Sequence, residues 1–227
     1  MLEAVYEVNQ NIVLVLMNGR PLAIPWAAES IPTILEAWHL GTKSGDAIAS
    51  VLYGEHNPSG KLPMTFPRHV GQVPLYYNHK NTGRPGPIDL VFWSHYNDES
   101  NDPLFPFGHG ESYTTFDYSD FNIVGNQVSV TVTNSGDYDG DEVVQLYVRD
   151  KFATVTRPVK ELKGFEKISL KKGTSEIVSF TLTDGLLGYY DNQGRFVVEE
   201  GEFDIMVGGS SDTELKKTFT LKSNNTP

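Results

Sequence analysis

Apolar positions change their period along the chain, and each change predicts a different kind of element. The opening residues, Leu2-Glu-Ala-Val-Tyr-Glu-Val8, space their apolar side chains like the last turns of an amphipathic helix. Ile12-Val-Leu-Val-Leu-Met17 is a continuous apolar run closed by Asn18-Gly19, the pattern of a strand buried on both faces of a parallel sheet. Thr33-Ile-Leu-Glu-Ala-Trp38, closed by Gly41, predicts a second strand. Ala47, Ile48, Val51 and Leu52 then share one helical face, with Thr42 or Ser44 as N-cap, Asp46 against the helix dipole and Gly54 as the stop. Strand, connection, strand, helix is the rhythm of an open α/β sheet. Two or three strands are fewer than the roughly five or six such a sheet usually has, so a partial sheet is expected.

From His56 onward Pro, Gly, Asn and aromatic residues dominate, as in Leu62-Pro-Met-Thr-Phe-Pro67 and Asn81-Thr-Gly-Arg-Pro-Gly-Pro87. This composition predicts extended or loop backbone, and its many aromatics imply that it packs against something. After about Phe116 the period becomes two. Val128, Val130 and Val132 alternate with hydroxyl residues; Val144, Leu146 and Val148, then Val178, Phe180 and Leu182, then Phe203, Ile205 and Val207 repeat the pattern, and Leu215, Phe219 and Leu221 close it. Lys171-Lys-Gly173, Asp191-Asn-Gln-Gly194 and Glu200-Gly201 supply turns between them. Six or seven short strands with one apolar face each predict a fibronectin III or immunoglobulin-like β-sandwich. The expected fold class is α/β plus all-β: a truncated α/β sandwich over residues 1–67, a connecting arm over 68–115, and the β-sandwich over 116–227.

Composition narrows the function. A net charge of −11 opposes binding to nucleic acid or an anionic membrane surface. No apolar run approaches the roughly 20 residues that span a bilayer, and no signal peptide is expected at the start. With no Cys, thiolate metal sites and thiol nucleophiles are excluded while the compartment stays open. The six His have no metal-ligand spacing, so zinc is disfavoured. Asp137, Asp139 and Asp141 around Gly140 fall short of an EF-hand pattern and read as a solvated hairpin tip. Neither metal nor cofactor is expected.

Several motifs occur together in one order. Val15-Leu-Met-Asn-Gly-Arg-Pro-Leu22, Ala47-Ile-Ala-Ser-Val-Leu-Tyr-Gly54, Asn57-Pro-Ser-Gly-Lys-Leu-Pro-Met-Thr-Phe-Pro67, Asn81-Thr-Gly-Arg-Pro85, Pro103-Leu-Phe-Pro-Phe-Gly-His-Gly110 and Arg157-Pro-Val-Lys-Glu-Leu-Lys-Gly-Phe165 resemble the C-terminal portion of family 3 glycoside hydrolases, including its fibronectin-like domain. The resemblance implies a retaining β-glucosidase or β-xylosidase type enzyme. Its two catalytic carboxylates stand about 5 Å apart, an Asp on a barrel and usually a Glu on a loop of the α/β sandwich, both upstream of Met1. No residue here is therefore assigned a catalytic role. The expected partners are the N-terminal barrel, the rest of the α/β domain and, through the complete enzyme, an oligosaccharide. A periplasmic or extracellular setting is favoured over the cytoplasm. The family commonly has an aromatic residue and a Leu where this chain has His109 and Glu111, and the stretch Ile88-Asp-Leu-Val-Phe-Trp-Ser-His95 has no clear counterpart.

Four residues are candidates for lying near substrate. Arg20 follows a strand's C-terminal end, where open α/β sheets bind ligands, although an ion pair or a carbonyl contact is the favoured role. Asn81 and Arg84, on the arm, could touch sugar hydroxyls or brace the active-site wall. Trp93 could stack on a sugar face, as could Trp26, whereas Trp38 suits a core. Glu36 and Glu55 read as a strand-end ion pair and a helix-end surface charge. The alternative function is a non-catalytic carbohydrate-binding or protein-interaction module.

Overall fold

A computed structural model describes residues 1–84 and 92–222. Pro85, Pro87 and the Ile88-Asp-Leu-Val part of the unassigned arm stretch lie outside the described residues. The chain forms two compact units. The first comprises Met1–His56, Met64–Leu75 and His95–Phe105; the second comprises Asn57–Pro63, Tyr76–Ser94 and Pro106–Pro227.

In the first unit α1 (Leu2–Val8) precedes β1 (Val13–Leu16), α2 (Pro25–Ser30), β2 (Thr33–Glu36) and α3 (Ser44–Leu52). β1 and β2 pair in parallel with Val13 opposite Thr33 and Leu16 opposite Glu36. The expected two-sided burial of the first strand is not found. Val13 and Met17 are 49% and 60% exposed, because the described sheet has only these two strands. The N-cap of α3 also differs from expectation: a 3-10 turn over Gly41–Lys43 leads into the helix, and Lys43 occupies the cap position with no side-chain cap bond. Asp46 sits in the first turn but pairs with Lys43 at 2.9 Å. Gly54, at φ 76°, ends the helix as expected. Neither α1 nor α3 buries any residue fully.

The aromatic loops of this unit are packed. Phe66, 2% exposed, meets Trp38 and Phe105 edge-on at 6.0 and 6.1 Å, and its backbone pairs with Phe105. Buried Gln72 accepts from Arg68 N and donates to Ser100 O, which joins two of the unit's three chain segments. With few buried apolar side chains, this unit should open easily. Amide protons of β1, β2 and α3 are expected to exchange within minutes, and those of the central sandwich strands orders of magnitude more slowly. Equal protection in hydrogen-exchange mass spectrometry would contradict this.

The second unit is a seven-stranded sandwich built from β3 (Phe116–Val124), β4 (Gln127–Asn134), β5 (Gly140–Asp150), β6 (Glu161–Leu170), β7 (Ser175–Thr181), β10 (Gly201–Gly208) and β11 (Lys216–Leu221), with α4 (Asp184–Leu187), β8 (Tyr189–Tyr190) and β9 (Phe196–Val197) between β7 and β10. One sheet has the order β11-β10-β5-β6 and the other β3-β4-β7; β8 and β9 form a separate pair. The alternating positions face each other in the core: Val128, Val130, Val132, Val144, Leu146, Phe203, Ile205 and Val207 are all at most 1% exposed.

Burial departs from one apolar face per strand in β5 and β10. Gln145, Tyr147, Asp204 and Met206 are buried as well. For β5 the cover on its outer face is the loop pair Tyr77 and Phe107, stacked at 4.2 Å, with Tyr77 edge-on to Tyr147. Gln145 donates to Gly108 O at 3.1 Å and to Gly209 O, and accepts from Tyr147 Oη, so its buried amide is satisfied.

A strap of residues 57–63 is fastened alongside. Asn57 accepts from Ser112 Oγ and Tyr113 N and donates to Asp139 O. Lys61 Nζ donates to Gly110 O and lies 3.1 Å from Glu142 Oε2, while Tyr118 Oη donates to Glu142 Oε1. The expected hairpin tip around Gly140 is instead a connection between the two sheets, because β4 pairs with β3 and β7 while β5 pairs with β10 and β6; there Asp137 pairs with Lys172 at 2.6 Å and Asp141 with Lys167 at 2.9 Å, and Asp139 accepts from Lys172 N. These carboxylates are used in closing that connection. No helix among the described residues is long and apolar enough to cross a membrane.

Candidate functional site

In the first unit the parallel pairing brings the residues after β1 and after β2 to one sheet edge, with Ala37 N donating to Leu16 O. Asn18 Nδ2 bridges the two loops, donating to Arg20 O at 2.7 Å and to Glu36 Oε2 at 3.3 Å. Glu36 Oε1 accepts from Trp38 N at 3.0 Å. That bond fastens Trp38 in a left-handed conformation, φ 48°, unusual for a bulky residue and costly unless the surroundings hold it. A Cβ at Gly19 would lie 3.0 Å from His39 Nε2, so only glycine lets the imidazole lie against that turn without displacement. Asn18 Oδ1 is buried without a hydrogen-bond partner.

Glu36 does not make the expected strand-end ion pair. Its two oxygens are spent on an amide and a backbone N–H, so it shapes the edge and is poorly placed to act as a free base. Arg20 is exposed; its carbonyl carries the Asn18 contact, and its guanidinium makes no ion pair among the described residues. Glu55 is exposed, as a helix-end charge should be. Trp26 meets Tyr6 edge-on at 5.6 Å, a packing role within the first unit.

The other candidates belong to the second unit. Arg84 Nη1 donates to Phe92 O and Arg84 O accepts from Ser94 N, so this residue clamps two points of the arm. Trp93 lies half-buried between those two partners. Asn81 follows the Lys80–Pro158 bridge and the bond from Val159 N to His79 O, and it lines a cavity of about 480 Å³ beside the end of β5. Of the four candidates, Arg20 thus belongs to the first unit and Asn81, Arg84 and Trp93 to the second. Arg149 and Asp150, also on that cavity wall, received no role from sequence reasoning; their position at a strand end emerges only from the pairing of β5.

His109 illustrates the departure at the turn after Phe107. Leu62 N donates to His109 O and Gly108 N to Leu62 O, so the backbone of the turn is held by the strap. Burial holds the His109 imidazole below its ordinary pKa, against the opposing pull of Glu111, whose carboxylate lies 3.7 Å away. The ring is therefore neutral near pH 7, with Glu111 at its exposed edge.

Comparison with known proteins bears on the whole chain. Residues 1–113 match the glycosyl hydrolase family 3 C-terminal domain and residues 142–211 the fibronectin type III-like domain. A periplasmic beta-glucosidase of Salmonella typhimurium is 45% identical over 231 residues, covering 97% of this chain and 30% of its own length. A beta-xylosidase of Formosa agariphila is 46% identical over 229 residues, covering 97% and 31%. Among solved structures, beta-glucosidase from Listeria innocua in complex with glucose has a TM-score of 0.89 at 40% identity, covering 96% of this chain and 32% of that one. The chain spans about 30% of the length of the curated relatives it matches. Two family matches in order, near-complete coverage and a partial α/β sheet followed by a fibronectin-like sandwich lead to one conclusion: this chain belongs to glycoside hydrolase family 3 and corresponds to the C-terminal region of its members.

Proposed function

We propose that the chain is the C-terminal region of a retaining β-glucosidase-type hydrolase acting on β-linked gluco- or xylo-oligosaccharides, and that it supports the active site without supplying the nucleophile or the acid/base. The observation that carries this reading is the coverage: nearly all of this chain aligns with β-glucosidases and β-xylosidases while leaving about 70% of their length unmatched. Retaining hydrolysis needs two facing carboxylates, one to attack the anomeric carbon and one to protonate the leaving oxygen and then activate water. At the strand-end edge of the first unit the carboxylate in place, Glu36, is committed to Asn18 and Trp38 N. The edge then serves as a wall whose shape Asn18, Gly19 and Glu36 maintain, and the missing acids come from a barrel and the remainder of the α/β domain.

Mixing tests it. The chain alone should not hydrolyse aryl β-glucosides or aryl β-xylosides, and a sample reconstituted with a separately produced N-terminal portion of the same enzyme should. Turnover by the chain alone would overturn the proposal, as would a folded, stably associated complex with no activity.

A further inference from the structure

The cavity beside the end of β5 carries an uneven distribution of partnered and unpartnered polar groups. It is lined by Asn81, by Arg149 and Asp150, by the connection over residues 151–157, and by Glu199. Most of its charges are already matched. Lys151 lies 2.7 Å from Glu202, and Arg157 lies 2.6 Å from Glu161 with its guanidinium 4.6 Å from the Tyr189 ring centre. Glu199 accepts from both the backbone N and the hydroxyl of Thr154, and these bonds hold its carboxyl below the usual range.

Three side chains on the wall retain capacity. Arg149 makes no hydrogen bond or ion pair among the described residues, and neither does the Asn81 amide. Asp150 accepts one bond, from Phe152 N at 3.2 Å, which leaves most of its acceptor positions open. Burial raises the Asp150 carboxyl above its ordinary value, against the opposing pull of the Phe152 N–H bond and the Arg157 charge. The rim carries the Phe152 ring, 77% exposed.

The sign of the charges selects the ligand. A free anion attracted to Arg149 would also meet Asp150 and Glu199, and a cation drawn to Asp150 would meet Arg149, Lys151 and Arg157. Vicinal hydroxyls meet neither conflict, because each both donates and accepts: the Arg149 fork and the Asn81 amide can donate to them while Asp150 accepts from them. An exposed ring at the rim suits the apolar C–H face of a pyranose. At about 480 Å³ the cavity falls in the size range of small-ligand sites. We propose that this cavity is a binding site for a neutral sugar unit, with Arg149, Asn81 and Asp150 holding its hydroxyls and Phe152 its apolar face. The ligand class follows from the cavity itself; only the choice of test sugars rests on the hydrolytic reading.

The experiment uses the whole 227-residue chain, isotopically labelled and titrated with cellotetraose and xylotetraose while amide shifts are followed by NMR. Saturable shifts confined to residues near 81 and 149–157 are expected with at least one of them. Arg149→Ala should weaken binding by roughly tenfold or more. Phe152→Ala, at an exposed position where folding is not at stake, should weaken it by roughly threefold to tenfold. An oligosaccharide of the same length bearing a uronic acid should bind no more tightly than the neutral one. The proposal falls if no saturable shift appears with either sugar, if the shifts map elsewhere, if both variants bind like the wild type, or if the acidic sugar is preferred. None of these results depends on whether the reconstituted enzyme turns over, so the two proposals fail separately.

Discussion

Glu142→Ala is expected to destabilise the sandwich by about 3–5 kcal/mol, the cost of stripping a buried ion pair of one member. The side chains of Lys61 and Glu142 are only 14% and 6% exposed. Removing the carboxylate leaves the Lys61 ammonium donating to Gly110 O, and the Tyr118 hydroxyl loses the group it donates to. Tyr118 is half-buried, and desolvation together with Glu142 pushes its pKa above the ordinary phenol value, so it acts as a donor throughout the usable pH range. The midpoint of urea unfolding should fall with little change in slope, which separates lost stability from a change in surface exposed. Replacing both members, Lys61→Met with Glu142→Leu, should recover much of the loss because no charge then remains buried. Asp46→Ala, which breaks the well-exposed Lys43–Asp46 pair, should leave the midpoint unchanged. Equal effects from Glu142→Ala and Asp46→Ala would mean that the strap is not held by the buried pair.

Gly108→Ala should cost about 3–6 kcal/mol, for two reasons that add. Gly108 sits at φ 79°, where a side chain costs roughly 1–2 kcal/mol. Its Cβ would also fall 2.2 Å from Gln145 Oε1. Gln145 could swing away only by abandoning Gly108 O, Gly209 O and the Tyr147 hydroxyl, and each buried group left unpaired costs about 1–3 kcal/mol. Gly125→Ala is the matched comparison: its φ is also positive, 59°, but nothing lies within 4 Å of the added carbon. It should cost only the conformational part, roughly 1–2 kcal/mol. If thermal unfolding gave the two variants the same loss, the Gln145 clasp would contribute nothing to holding the turn after Phe107 on β5.

Elements with strong local periodicity were legible. β4, β5, β7 and β10 follow their alternation, and α1, β1, β2 and α3 fall where the apolar spacing puts them. Elements with broken patterns were missed. β3 carries a register shift between Ser119 and Asn122, with Asp120 at φ 50° in the middle of it, so no run of alternating residues survives. β6 is an edge strand with half-exposed or exposed residues along most of its length, and its Glu and Lys residues hide the period. α2 is six residues long, too short to display a helical repeat, and Pro25 at its first turn was its one local signal. The entry to α3 is hidden differently: Thr42 and Ser44 have N-cap chemistry, but a 3-10 turn over Gly41–Lys43 already occupies the entry.

The candidate site divides along a similar line. Asn18, Gly19 and Arg20 could be placed at a strand's end from the motif alone, yet the role of Glu36 as the acceptor that sets the Trp38 turn required the parallel register with β1. Arg149 and Asp150 are neighbours but share no motif with Asn81, which comes from a distant part of the chain.

Residue order by itself determined the two architectures, most of the strands and the family, because each rests on interactions between neighbours a few positions apart or on motifs read in series. Tertiary structure alone decided that β5 and β10 are buried on both faces, that Lys61 and Glu142 meet, and that an unpaired guanidinium, an amide and a carboxylate line one cavity. Such encounters depend on strand pairing and on where the arm and strap settle. A side chain's local pattern shows which way it faces along its own strand and carries no information about what chain, from far along the sequence, comes to cover it.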